Sequence, residues 1–186
     1  EAALEAHWGP YLEDAGAAWP RLQLRGAVAL ISLNSGHAAP PAFATGALGA
    51  LQRSRLSACL AAAGAAGYAR LLLIHHAPGP GMDKWRKRLV DAPELAVILQ
   101  KAGAELVLHG HCHESLSRTI AGPRGPIPVL SAPSASATGE DGCRAAGFNE
   151  IGIDVAADAV TIEATGIRLA GAPHWTLQTT LPRPRA

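Results

Sequence analysis

Two short apolar runs, each stopped by histidine, constrain this chain more than anything else in it. Leu71-Leu72-Leu73-Ile74 leads into His75-His76, and Leu106-Val107-Leu108 leads into His109-Gly110-His111-Cys112-His113-Glu114. Runs of this length suit strands covered on both faces, as in a parallel sheet; Arg70 is the polar interruption in the segment Tyr68 to Ile74. Between the two runs, Asp91-Ala92-Pro93-Glu94 reads as a helix start, with Asp91 as cap and Pro93 in the first turn. That helix is expected to run to about Ala102 and stop at Gly103.

An earlier strand, Gly26 to Leu33, is followed by a helix from Gly46 that carries Leu48, Leu51, Leu56, Cys59, Leu60 and Ala63 on one side and ends near Gly64. Strand, helix, strand, helix, strand is the order of an α/β layered fold with neighbouring strands. The rest of the chain differs. Pro126 to Ser131, Phe148 to Val155, Ala159 to Leu169 and Trp175 to Leu181 read as β runs, with no helical period between them, and predict a meander or second sheet. Residues 1–20 read as a short helix or irregular entry segment, and the Pro-Arg tail as frayed.

With 186 residues the chain is read as one domain spanning 1–186. A formal net charge of +1 excludes a strongly basic face, so no nucleic-acid duplex is expected as partner, whereas a small phosphorylated substrate is compatible. Three cysteines and no CxxC pair indicate neither a disulfide framework nor a cysteine zinc site, and a cytoplasmic location is the expectation. No apolar run approaches the ~18 residues of a membrane span. The first residue is Glu1 and the single methionine is Met82, so the chain is expected to be a piece of a longer product. Oligomeric state is not readable from these features.

The histidines carry the chemistry. In an extended segment leaving a strand, residues i and i+2 point to the same side, so His111 and His113 are expected to converge on one point. Sites in open α/β sheets gather outside the carboxyl ends of the strands, which brings in His75-His76 from the neighbouring run. Imidazole nitrogen suits zinc, iron, copper, nickel and, beside oxygen ligands, manganese. His109 is expected to pack behind the site. His7, His37 and His174 are expected at the surface, and Cys112 is expected to point away from the two histidines that flank it. The basic cluster Lys84 to Arg88 reads mainly as a solvated face, with Lys84 or Arg86 as a contact for substrate phosphate.

The stretch LLLIHHAPGPG, followed by RKRLVDAPELAVILQKAGAELVLHGHCHES, resembles the C-terminal half of the calcineurin-like metallophosphoesterase superfamily, in particular its bacterial phosphodiesterase-type members. ISLNS, GALGALQRSRLSACLA, PVLSAPSASA and FNEIGID fall where such proteins carry a strand, a helix and returning strands. The resemblance implies a layered α/β/β/α sandwich and metal-dependent hydrolysis of a phosphodiester or phosphomonoester. It implies two divalent or trivalent metal ions, manganese, iron or zinc, and a metal-bound hydroxide as nucleophile. His75, His111 and His113 match the family's ligand histidines. His76 stands beside His75 and competes with it for that match, and it is otherwise placed with His109 behind the ligands.

The family's D-x-H, G-D-x-x-D and G-N-H motifs do not occur in this sequence, so no catalytic residue is assigned within it. The chain is therefore expected to be the C-terminal part of a metallophosphoesterase domain, lacking the N-terminal strands and motifs, and inactive by itself. The alternatives are a catalytically inactive remnant or interaction module, and a single-metal domain using His75, His111 and His113.

Overall fold

The computed structural model describes residues 19–137, 145–169 and 173–184. Residues 1–18, with the expected entry helix and His7, lie outside these. The chain order is β1 (Arg21–Arg25), β2 (Val28–Ser32), α1 (Gly49–Ala65), β3 (Ala69–Leu73), α2 (Ala92–Ala102), β4 (Leu106–His109), β5 (Leu116–Ile120), β6 (Ile127–Ser131), β7 (Gly147–Val155), β8 (Ala159–Arg168) and β9 (Pro173–Pro182). Six strands form one sheet in the order β1-β2-β3-β4-β6-β5, and β7-β8-β9 form a second.

The expected α/β layering is present. β2, β3, β4 and β6 are mutually parallel, and β1 and β5 flank them antiparallel. Because side chains alternate across a strand, each central strand feeds two cores. Ile31, Leu72, Val107 and Val129 meet Leu56 and Leu60 of α1 and Leu95 and Leu99 of α2. On the other face, Leu71, Leu106 and Leu130 meet Val160, Ile162 and Ala164 of β8. The described residues thus stack as helices, large sheet and small sheet. Leu51, expected on the apolar side of α1, is 62% exposed.

Three local expectations change. The run Pro126 to Ser131 does not join the late meander; as β6 it pairs parallel with β4 in the large sheet. Asp91 occupies the N-cap position of α2 but makes no side-chain bond there. Its carboxylate instead accepts the Leu48 and Gly49 backbone N–H groups at 3.0 and 2.9 Å, capping α1, and pairs with Arg53. The tail is tied down as far as Pro184: Arg183 donates to the Gly67 carbonyl at 2.9 Å and to the Ala156 carbonyl at 3.0 Å.

Arg70, the polar residue in β3, is buried, and each of its guanidinium nitrogens is hydrogen-bonded. Its guanidinium makes a two-pronged pair with Glu105, at 3.0 and 2.8 Å, and donates to the Leu60 and Ala102 carbonyls. Glu105 also accepts the Arg70 backbone N–H and pairs with Arg124. This network locks the starts of β3 and β4 side by side, so their far ends arrive in register.

Candidate metal centre

The carboxyl ends of β3 and β4 are stitched together past the sheet. Ile74 N–H donates to the Leu108 carbonyl at 3.0 Å, and Gly110 N–H donates to the His75 carbonyl at 3.1 Å. These two bonds set the histidines that follow each strand against one another. His75 Nε2 and His111 Nδ1 are 3.0 Å apart. The ring of His76 lies 4.3 Å from that of His111, centroid to centroid. Among the described residues, His75, His76 and His111 each offer a nitrogen within 4.8 Å of the others.

The three imidazoles are not equivalent. His76 is 4% exposed and has both nitrogens engaged. The Ala44 carbonyl can only accept, so Nε2 donates to it at 3.1 Å, and Nδ1 accepts from the buried Ser35 hydroxyl at 2.8 Å. Its ring packs directly on Gly46, where a Cβ would stand 2.3 Å from Nδ1. His75 is exposed and half of the facing pair. In His111 the buried Nε2 meets no partner of hydrogen-bond geometry, although the Ala44 carbonyl is near enough to favour the protonated ring.

Electrostatics keep the cluster neutral. Burial, followed by the charges His111 and His75 would carry, pushes His76 down to about 4, against the opposing pull of the Ala44 carbonyl. His75 is lowered by burial and then by His113. His111 is lowered by burial and His75, with Asp83 opposing and Lys87 reinforcing. His109 is lowered chiefly by burial. Neutral imidazoles near pH 7 have lone pairs free for a metal.

His111 and His113 do not converge as an extended segment would make them. β4 ends at His109, and His111 and His113 take φ of 66° and 54°, in the left-handed region. Strand alternation stops there, so His111 swings to His75, while His113 is exposed and outside the group of three. His113 still stands close enough to His75 to depress its protonation. His109 has Nδ1 against the Gly110 carbonyl at 3.1 Å. His37 and His174, expected at the surface, are half-buried and bonded to Thr45 and Arg168.

Beside the histidines lies a cleft of about 440 Å³ lined by Asp83, Lys84, Lys87, His109, Glu114 and Arg118, among others. Cys112, expected from the sequence to point away from the histidines that flank it, also lines it. Arg86 is not on its wall. Asp83 went unrecognised in the sequence, because nothing in its local spacing marks it; one of its carboxylate oxygens is buried without a partner. The exit of the histidine loop is fixed by Trp175 of β9, whose Nε1 donates to Ser115 Oγ at 2.8 Å.

The donor set fits one metal ion. Two facing imidazole nitrogens, one of them on a ring whose other nitrogen is buried without a hydrogen-bond partner, are what a borderline transition metal takes. It does not fit two, because no carboxylate joins the group among the described residues. No helix among those residues is long and apolar enough to cross a membrane.

No protein-family model matches the chain. No curated protein matches it in sequence. Solved structures that the chain matches include Vps29 from Entamoeba histolytica. A double mutant of that protein matches at 15% identity over 56% of this chain and 52% of the other, with a TM-score of 0.28. The wild type complexed with Zn2+ matches at 11% identity over 81% of this chain and 98% of the other, with a TM-score of 0.32. At these values no residue role passes from one protein to the other, and what stands for this chain is an α/β fold with an imidazole cluster at the ends of two parallel strands.

Proposed function

We propose that this chain binds one divalent transition-metal ion between His75 and His111 and serves the hydrolysis of a phosphate ester. In this reading His113 closes the site from the solvent side. His76, fixed by Ser35 and Ala44, and His109 stand behind it. The observation that carries the reading is the facing of His75 Nε2 and His111 Nδ1 at 3.0 Å, outside the carboxyl ends of β3 and β4. The metal would supply Lewis acidity at a phosphoryl oxygen. The chain's own part is to hold the ester: Lys84, Lys87 and Arg118 line the adjoining cleft with cationic donors suited to phosphate oxygens.

The all-imidazole donor set also supports the second reading, a metal-holding module without turnover. The domain reading follows the same observation: we propose that these residues are the C-terminal portion of a metallophosphoesterase domain whose carboxylate ligands lie elsewhere. Assay of bis(p-nitrophenyl) phosphate hydrolysis by this chain, with manganese or zinc added, separates the readings. Metal-stimulated turnover that His111→Ala abolishes supports an enzyme. Stoichiometric metal with no turnover is the outcome shared by the module and by a C-terminal portion that lacks its carboxylate ligands, and no metal at all removes both.

A further inference from the structure

We propose that the cavity next to the histidines receives a flat aromatic group on the phosphate ester, stacked on Trp85. This rests on the reading of the site as one for phosphate esters. The cavity, about 600 Å³, is walled by Phe43, Lys84, Trp85, Arg86 and Lys87, among others. Trp85 is 56% exposed and stands in the cavity wall, so its ring is open to a ligand. It meets Phe43 edge to face at 5.1 Å, and the Arg86 guanidinium stands 5.0 Å from its centroid.

The walls are preformed. Ala44 N–H donates to the Arg86 carbonyl at 2.8 Å, Gly46 N–H to the Arg88 carbonyl at 3.1 Å, and Lys87 N–H to the Lys84 carbonyl at 2.8 Å. The same Ala44 holds His76 through its carbonyl, so the aromatic cavity and the histidine cluster share a residue. Lys84 and Lys87 line both this cavity and the polar cleft, forming the ridge between them. A ligand laid across that ridge puts its ring against Trp85 and its phosphate against the lysines. Exposed tryptophan among cations also suits a membrane surface, but here the rings wall a cavity, which favours a single flat ligand.

Calorimetric titration of the metal-free chain with 5′-AMP, phenyl phosphate and ribose 5-phosphate tests this. An aromatic ligand is expected to bind roughly tenfold more tightly than ribose 5-phosphate, the gain typical of one stacked ring. Trp85→Ala should erase that preference and Trp85→Phe should keep most of it. Whichever of AMP and phenyl phosphate binds tighter names a nucleobase or a smaller aryl group as the source. Equal affinity for ribose 5-phosphate and AMP, or a preference that survives Trp85→Ala, overturns the inference. So does Trp85-dependent binding to phosphatidylserine vesicles without any preference for aromatic esters. Zinc titration of the same samples reads the metal site separately, so either proposal can fail alone.

Discussion

His75 Nε2 lies 3.0 Å from His111 Nδ1, although 36 residues separate them in sequence. The contact exists because β3 and β4 are parallel neighbours and because Gly110 N–H binds the His75 carbonyl beyond the sheet. Two imidazole nitrogens this close share one proton in the free protein, and in the proposed reading a metal ion would take that proton's place.

Removing either partner should therefore weaken metal binding. His111→Ala is expected to lower zinc affinity at least tenfold, by comparison with the 10–100-fold typical of lesser changes around a metal. His113→Ala, at an exposed position outside the group of three, should cost less than His111→Ala. Competition with a chromophoric chelator measures both. Equal losses would place His113 on a par with the facing pair.

Acid should destabilise the fold before it reaches the carboxylates. His76 titrates at about 4 in the folded chain against an ordinary 6.5, so the unfolded chain binds a proton that the native one refuses. The stability so gained is complete above about pH 6.5 and is lost as pH falls toward about 4, up to on the order of 3 kcal/mol. The lowered His75, His109 and His111 act in the same direction. Urea denaturation from pH 7 to pH 4 checks this. A flat profile in the wild type, or an unchanged slope in His76→Gln, would contradict it.

The seat of His76 gives a sharper test. Ser35→Ala leaves the buried Nδ1 without its donor and should cost about 1–3 kcal/mol. Gly46→Ala drives a methyl group into the ring, 2.3 Å from Nδ1, and should unseat His76 altogether. Thermal unfolding together with the imidazole nitrogen spectrum would show both. If Gly46→Ala leaves the His76 resonances unmoved, the packing is misassigned.

The ion network at the far end of the same strands is structural. Glu105→Gln leaves the buried Arg70 guanidinium without its counter-charge and should cost about 3–5 kcal/mol. Arg124→Gln should cost less, because Arg124 is 28% exposed while Arg70 is 2%. Chemical denaturation of the two variants gives the comparison, and equal losses would contradict this division of the network.

What the sequence made legible followed burial. β3 and β4 announce themselves because both faces are covered and nearly every residue is apolar; the histidines after them are conspicuous for the same reason. β1, exposed at all five residues, and the mostly exposed β5 carry no such signal, since an antiparallel edge strand can be Arg-Leu-Gln-Leu-Arg and still pair. Asp91 reads as a local cap, but its choice of the α1 terminus over its own helix is a tertiary event. The alternation that placed His111 beside His113 fails because left-handed φ values after Gly110 break it, and no residue type in Gly-His-Cys-His forces that. Asp83 came into view only when the loop after His76 folded back beside His109.

The central claim is that His75 and His111 hold a single metal ion. Metal content of the purified chain, loaded with zinc at pH 7 and dialysed, tests it most directly. The account predicts one ion per chain in the wild type and none retained in the His75→Ala, His111→Ala double variant, with both proteins equally folded by circular dichroism. Retention of zinc by the double variant, or a wild type that binds none while fully folded, would contradict it.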